Sequence, residues 1–340
     1  MRGRMTNDEK VRVLYVGGCG RSGSTLLDRM VGQLPGVCSV GELGQIWKAV
    51  AANQECGCTV PIRECAFWRA VGERAFGGWG VVDVRGLHAL HRAVVRQRHV
   101  ALLVAPELSR TYRRRLRAYA AVVQRLYRAI RAVSGASLIV DSTKHYVNAL
   151  LLAGVDGIDL RVVHLVRDSR GVAYSWNKSV RRPESVHGGA HMNRYGTVRS
   201  AVRWIGYNAG FDALATAGVP TLLARYEDLV DAPRVELGRI VGWAGLDVED
   251  PAWSFVNGHE VQLGVDHTVA GNPMRFRVGS VRLRVDEEWK ERLPVAQRRV
   301  VSLLTWPMLL RYGYRGDAAT RPSTPAMRSP RIGRPAPQTL

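Results

Sequence analysis

The chain has 340 residues, of which 46% are hydrophobic and 23% are charged, an ordinary composition for a globular protein with one large core or two modest ones. No apolar run reaches the ~20 residues that a membrane-spanning helix needs, and the N-terminus lacks the apolar segment of a signal peptide, so we expect a cytoplasmic protein without a membrane span. The net charge of +20 favours anionic ligands. Because the basic residues are scattered and no nucleic-acid-binding motif is present, a specific nucleic-acid partner is not expected.

The apolar patterns alternate between strand and helix along the chain. Predicted strands cover residues 11–16, 137–141, 161–166 and 220–229. Predicted helices cover about 24–34, 169–180, 196–217 and a segment that begins at Pro233. Residues 44–133, between the first two strands, are mostly helical by pattern.

This alternation predicts an α/β fold, a three-layer sandwich with a central parallel sheet, a P-loop-like nucleotide-binding core and a helical insertion at 44–133. A single domain is expected over 11–315, after an N-terminal extension at 1–10. The Pro- and Arg-rich tail at 316–340 is expected to be disordered. The sequence leaves the oligomeric state open.

The stretch GGCGRSGSTLL follows the first predicted strand and opens the first helix. Gly18 and Gly23 have the spacing of a phosphate-binding loop, in which glycines let the backbone approach an anion and the helix amides point at it. The loop of nucleoside triphosphatases carries Lys where this sequence has Ser24. The nearest cation is Arg21, whose planar guanidinium suits a tetrahedral oxyanion. The loop therefore predicts a phosphate compound other than a magnesium triphosphate.

A second candidate anion site follows the strand at 161–166, in LVRDSRGVAYSW. Arg167 ends that strand, and Ser175 lies eight residues later in the next helix. Both would lie near the carboxyl edge of the sheet, where ligands of α/β proteins bind. Together with the glycine loop, this motif predicts a ligand with two separate anionic groups.

The pairing of GRSGSTLL with LVRDSRGVAYSW resembles the sulfotransferases that use 3′-phosphoadenosine 5′-phosphosulfate (PAPS), and the motifs are most similar to the bacterial and tyrosylprotein branch. The resemblance runs from residue 11 to about 313 and includes RYEDL (225–229) and GNPMRFRVG (271–279). It implies transfer of a sulfuryl group from PAPS to an acceptor hydroxyl, with 3′,5′-ADP as the product and no metal required. The cofactor-binding residues that it implies are Gly20, Arg21, Ser22, Gly23, Ser24, Thr25, Arg167, Ser175, Tyr226, Arg275 and Arg277.

The same resemblance implies three catalytic residues. Glu42, in PGVCSVGELGQIW, stands at the offset of the base of the tyrosylprotein branch, and Lys144 stands in the loop that supports the leaving group there. Arg21 is the third. A histidine remains an alternative base, since cytosolic members of the family use one; the candidates are His145, His187, His191 and His267.

Three questions stay open in the sequence. The acceptor is a small molecule, glycan, lipid or peptide tyrosine, and the aromatic residues Trp47, Phe67, Trp68, Trp79 and Tyr112 would suit its pocket or the core. Cys56, Cys58 and Cys65 either pack as reduced thiols, which we favour, or hold zinc, for which Cys38 is the nearby fourth ligand. An ATP-dependent small-molecule kinase is the alternative function, which the missing loop lysine disfavours.

Overall fold

The computed structural model describes residues 10–178 and 195–314 of the chain. The predictions for the extension at 1–10, for His187 and His191, and for the tail at 316–340 fall almost entirely outside these ranges. Among the described helices, none combines the length and the apolar character that crossing a bilayer requires.

A five-stranded parallel sheet forms the centre of the fold. Its strands are β1 (Val11–Gly17), β2 (Val37–Gly41), β3 (Leu138–Lys144), β4 (Ile158–Val166) and β5 (Thr221–Arg225). The spatial order is β2-β3-β1-β4-β5, and every neighbouring pair is parallel. The predicted α/β fold with a central parallel sheet is therefore confirmed.

Helices cover both faces of the sheet. They are α1 (Ser24–Val31), α2 (Ile46–Ala51), α3 (Ala66–Phe76), α4 (Val84–Val94), α5 (Val100–Val104), α6 (Arg110–Ser134), α7 (Tyr146–Ala153), α8 (Ser169–Asn177), α9 (Thr197–Thr216), α10 (Tyr226–Asp231), α11 (Pro233–Trp243), α12 (Glu288–Arg292) and α13 (Val295–Arg311). Helices α2–α6 lie within the region predicted to be a helical insertion.

Strand β1 shows why the sheet has a core on each side. Successive strand residues point to opposite faces, so a buried central strand is apolar throughout. Val13 and Tyr15 pack in one cluster with residues of α2, α3 and α6, whereas Leu14 and Val16 pack in another with α1 and α11. The sheet therefore lies between two hydrophobic clusters and forms the middle layer of the sandwich.

The long helix α6 illustrates how local sequence sets element ends. The hydroxyl of Ser109 accepts a hydrogen bond from the Tyr112 amide at the N-terminus, and Gly135 takes the left-handed conformation that ends the helix. Between them, Tyr119, Leu126 and other apolar residues at helical spacing are buried against the sheet.

Three features differ from the sequence prediction. The predicted strand at 220–229 ends at Arg225, and α10 follows at once, with Glu227 and Asp228 in the first turn where acidic residues favour a helix. Strand β2 was not predicted because its apolar pattern is short. A small antiparallel sheet near the C-terminus, also not predicted, contains β6 (Val256–Asn257), β7 (Glu260–Leu263) and β8 (Gly279–Arg282).

Candidate active site

The carboxyl ends of the five parallel strands meet at one edge of the sheet, where ligands of open α/β sheets bind. Most of the predicted site residues come directly at or after these ends. They are Glu42 after β2, Lys144 in the last position of β3, the glycine loop after β1, Arg167 after β4 and Tyr226 after β5. Because the strand order is β2-β3-β1-β4-β5, these residues lie side by side across the edge in the order given.

The glycine loop needs glycine at two positions for close packing. Gly18 has a φ of +144°, and a Cβ there would lie 2.2 Å from the carbonyl oxygen of Leu165. Gly23 has a φ of +89°, and a Cβ there would lie 2.4 Å from the ring of Tyr226. The loop can therefore fold tightly over β4 and bring the N-terminal amides of α1 to the cleft.

Arg21 and Lys144 share an unusual backbone conformation. Their φ angles are +76° and +74°, in the left-handed region that ordinary side chains rarely adopt. Such strained residues concentrate at functional sites, where the surrounding structure holds them in place. The Arg21 guanidinium lies 5.0 Å from the ring centroid of Trp176, which supports it as it enters the cleft.

Arg167 is a buried side chain that organises the β4 side of the cleft. Its guanidinium donates to the carbonyl oxygen of Arg21 at 3.0 Å, pairs with Asp286 at 3.1 Å and stacks 4.6 Å from the ring centroid of Tyr226. Burial raises the pKa of Asp286, but the charge and hydrogen bond of Arg167, the charge of Lys178 and a backbone hydrogen bond together outweigh burial, and the net shift is downward. Ser175, on α8, lines the same cleft. The structure thus brings the two predicted anion motifs together.

Glu42 and Lys144 form an ion pair at the other side of the cleft. The ammonium of Lys144 donates to Oε1 of Glu42, and both side chains are 18% exposed. The segment that begins at Gly271 passes over them. A Cβ at Gly271 would lie 3.6 Å from Glu42 Oε1 and 3.3 Å from the hydroxyl of Thr25, so the carboxylate, the loop and this segment are in direct contact.

The cleft between these groups has a volume of about 230 Å³. Its lining residues include Gly20, Arg21, Gly23, Ser24, Thr25, Lys144, Arg167, Ser175 and Tyr226. Sequence reasoning missed four further lining residues, Leu26, Trp176, Asn272 and Met274. The indole nitrogen of Trp176 is buried and has no hydrogen-bond partner among the described residues.

Three residues of the predicted nucleotide site do not reach the cleft. Arg275 is 1% exposed, and its guanidinium donates to the carbonyl oxygens of Thr268 and Glu55. Arg275, which was predicted to contact the nucleotide, is buried in the loops that it joins and does not line the cleft. Arg277 is exposed outside the lining, and Ser22 is 1% exposed with its amide donating to another loop residue.

The described histidines are poorly suited to replace Glu42. Nδ1 of His145 and the hydroxyl of Tyr207 form a hydrogen bond of 2.8 Å. Burial lowers the pKa of His145 to about 4. His164 lies in β4 and contacts Asn208 at 2.9 Å. His267 lies among three cysteines. Glu42 is the titratable residue that faces the lysine of the cleft.

Asp141 stands where a magnesium-binding carboxylate of a kinase would be expected. It is 2% exposed and accepts hydrogen bonds from the hydroxyls of Tyr127 and Thr143, both at 2.5 Å. Burial raises the pKa of Asp141 to about 6. Its oxygens are engaged in the core, which disfavours a magnesium-nucleotide site.

The aromatic residues that would have suited an acceptor pocket are mostly core. Trp47, Trp68, Trp79 and Tyr112 are buried in the cluster beneath the helical region. Phe67 is half-buried and stacks on the imidazole of His267 at 4.9 Å. These side chains therefore give no direct indication of the acceptor.

Comparison with protein-family models and with solved structures found the following similarities. A sequence model described as the sulfotransferase family matches residues 14–250. The chain is similar to the sulfotransferase domain from the Synechococcus PCC 7002 olefin synthase, at 19% identity and a TM-score of 0.48, over 91% of this chain and 98% of that chain. It is also similar to the sulfotransferase domain from the curacin biosynthetic pathway, at 15% identity and a TM-score of 0.45, over 86% of this chain and 96% of that chain.

A comparison with curated proteins found no match. The family match begins within β1, continues through the glycine loop and the Arg167 motif, and ends beyond α11. It spans well over half of the sequence. The chain therefore belongs to the sulfotransferase family.

Proposed function

We propose that the protein transfers the sulfuryl group of PAPS to a hydroxyl of an acceptor and releases 3′,5′-ADP. The observation that carries this proposal is the convergence, in one cleft, of two separate anion-binding groups and a carboxylate–ammonium pair. A nucleotide with phosphates at its 3′ and 5′ positions matches two anion sites, whereas ATP carries its phosphates in one chain. A hydroxyl acceptor needs a base, which the carboxylate supplies.

The two ends of the cleft divide the nucleotide between them in this proposal. The amides at the start of α1, the hydroxyls of Ser24 and Thr25, and Arg21 bind the 5′-phosphosulfate. Arg167 and Ser175 bind the 3′-phosphate. Support for this division comes from the position of Arg167, whose guanidinium is already fixed at the cleft by the Arg21 carbonyl oxygen.

Tyr226 packs on Gly23 and beneath the guanidinium of Arg167, so its ring lies between the two anion sites. A flat aromatic side chain at that place suits the nucleoside that joins the two phosphates. Trp176 lines the same cleft, and its indole N–H has no partner among the described residues.

In the transfer step, Glu42 takes the proton of the acceptor hydroxyl while the acceptor oxygen forms a bond to sulfur. The bond between sulfur and the bridging oxygen of the phosphate breaks, and the electron pair leaves with 3′,5′-ADP. Lys144 and Arg21 stabilise the negative charge that develops on the sulfuryl and bridging oxygens. Because these cations belong to the protein, the transfer itself needs no metal.

The ion pair of Glu42 and Lys144 suggests how the two residues change partners. With the cleft in the state described, the ammonium is held by the carboxylate. An anionic sulfuryl group offers the ammonium a second partner, and a carboxylate released from Lys144 is free to accept a proton. The acceptor itself remains one of the hydroxyl classes named above: carbohydrate, lipid, phenolic metabolite or tyrosine.

Calorimetry tests the proposal before an acceptor is known. We expect 3′,5′-ADP to bind with micromolar affinity and ATP with Mg²⁺ not to bind measurably. The reverse order of affinities would favour the kinase alternative and refute the proposal. Acceptors are then screened with labelled PAPS, and Lys144→Met is expected to lower turnover with the acceptor found while 3′,5′-ADP still binds.

A further inference from the structure

Three cysteines and one histidine meet at a single point outside the cleft. Cys56, Cys58 and Cys65 lie in the loop that joins α2 to α3, and His267 lies more than 200 residues later, after β7. One ligand atom from each residue lies within 4.8 Å of all the others. Cys56 and Cys65 are buried, and Cys58 and His267 are half-buried.

Four of the six separations between these atoms are close to those of a tetrahedral zinc site, and the other two are within 4.8 Å. Zinc binds thiolates at about 2.3 Å and imidazole nitrogens at about 2.0–2.1 Å, so tetrahedral angles place two sulfurs about 3.8 Å apart and a sulfur and a nitrogen about 3.6 Å apart. The Sγ atom of Cys65 lies 3.8 Å from that of Cys56 and 3.7 Å from that of Cys58. Nδ1 of His267 lies 3.6 Å from Cys56 Sγ and 3.4 Å from Cys65 Sγ.

We propose that these four side chains bind one structural Zn²⁺ ion, with three thiolates and one neutral imidazole as ligands. All four positions are filled by the protein, as in structural rather than catalytic zinc sites. Binding releases the three thiol protons to solvent and leaves a site with one net negative charge. The sequence alone favoured packed thiols because it showed no fourth ligand other than Cys38, and only the fold brings His267 to the cysteines.

The surroundings of His267 hold its ring for coordination through Nδ1. Phe67 stacks on the imidazole with an interplanar angle of 9°. The indole of Trp68 donates to the carbonyl oxygen of His267 at 2.8 Å. Thiols that merely packed together would not require an imidazole nitrogen to point into their midst, whereas a fixed imidazole is typical of a metal site.

We call residues 266–272, which lead from the zinc ligand His267 to the cleft residue Asn272, the strap. The zinc site would connect this strap to the cysteine loop. The strap is joined to the cysteine loop by a hydrogen bond from the Gly57 amide to the Thr268 carbonyl oxygen at 2.9 Å, and Arg275 bridges the same two segments. From there the strap reaches Val40, next to Glu42, and the hydroxyl of Thr25. Zinc therefore acts on the cleft only by holding this strap in place.

Metal analysis of the full-length chain, purified from zinc-containing medium, tests the proposal. We expect one zinc per chain in the wild type, and a loss of most of it in Cys58→Ser and in His267→Gln. Cys38→Ser is the matched control, since Cys38 is a free, half-buried cysteine outside the cluster, and it is expected to keep the zinc. Removing zinc with a chelator is expected to lower the melting temperature, and Zn²⁺ but not Mg²⁺ is expected to restore it.

Cobalt replacement keeps the test decisive if the variants do not fold. Co²⁺ added to the reduced, metal-free wild type is expected to give the intense visible bands of tetrahedral thiolate coordination. The proposal is overturned if the wild type holds neither zinc nor tetrahedral cobalt, or if Cys38→Ser loses zinc as His267→Gln does. A disulfide within the cluster, detected as three free thiols instead of five in the unfolded metal-free chain, would overturn it too.

Discussion

Removal of the Ser175 hydroxyl isolates the second anion site with little disturbance to the fold. Ser175 lies near the end of α8 and lines the cleft, and no hydrogen bond of its hydroxyl is seen within the described part of the chain. Alanine is a better helix former than serine. We therefore expect Ser175→Ala to change the free energy of unfolding by less than about 0.5 kcal/mol.

The expected effect on binding follows from the charge of the ligand. A hydrogen bond to a charged group contributes about 1.5–3 kcal/mol, so loss of one to the 3′-phosphate weakens 3′,5′-ADP about 10- to 150-fold. The affinity for 5′-AMP, which has no 3′-phosphate, should stay nearly the same. Comparing the two nucleotides removes any general effect of the substitution on the cleft.

Titration calorimetry of wild type and variant with both nucleotides measures this difference. Tyr174→Phe is the matched control, because it removes a neighbouring hydroxyl of α8 that donates to Glu288 and does not line the cleft. Its affinities for both nucleotides should equal those of the wild type. The assignment of Ser175 to the 3′-phosphate is refuted if Ser175→Ala binds 3′,5′-ADP normally, or if it weakens the two nucleotides equally.

Three further predictions address the base, the pH dependence and the strap. Glu42→Gln should lower kcat about 10²- to 10⁴-fold, the usual contribution of a general base, while the Kd for 3′,5′-ADP stays the same. The control is Glu73→Gln, which changes an exposed carboxylate on α3 and should leave turnover normal. Because burial lowers the pKa of His145 from 6.5 to about 4, its stabilising contribution is complete above pH 6.5 and is lost as the pH falls towards 4. His145→Gln should therefore flatten the fall in unfolding free energy over that range in urea titrations, and an unchanged slope would contradict this. Arg275→Met should cost about 3 kcal/mol of unfolding free energy, since it leaves the carbonyl oxygens of Thr268 and Glu55 without their charged donor. Substitution of the exposed Arg277 by Met should cost less than about 0.5 kcal/mol, and equal losses would contradict the proposed stabilising role of Arg275.

The local sequence determined the elements that build the cleft. Strand β1 is predictable because a central parallel strand is apolar on both faces, and the glycine loop is predictable because backbone that approaches an anion closely leaves no room for a Cβ. The loop at Gly18 and Gly23 and the start of α1 at Ser24 lie where the sequence placed them. Arg167 likewise follows directly on the end of β4.

Neither strand β2 nor the strap could be predicted from the hydrophobic pattern of the sequence. The five residues of β2 are too few to show a clear period, yet the end of β2 sets the position of Glu42 beside Lys144. The strap has no regular structure and contributes Asn272 to the cleft; Met274, just beyond the strap, also lines the cleft, whereas the predicted Arg275 does not. Whether an arginine faces a ligand or a backbone carbonyl depends on packing that residue type does not reveal.

The sequence by itself determined the class of fold, the glycine loop and the two motifs that favour an anionic nucleotide, because these depend on residues that are neighbours along the chain. Only the tertiary structure decided which residues that are distant along the chain come into contact. Glu42 contacts Lys144, which lies 102 positions later in the chain, and His267 contacts the cysteine cluster from more than 200 residues away. Such contacts depend on the strand order and on the path of irregular segments, so no local periodicity of the sequence predicts them.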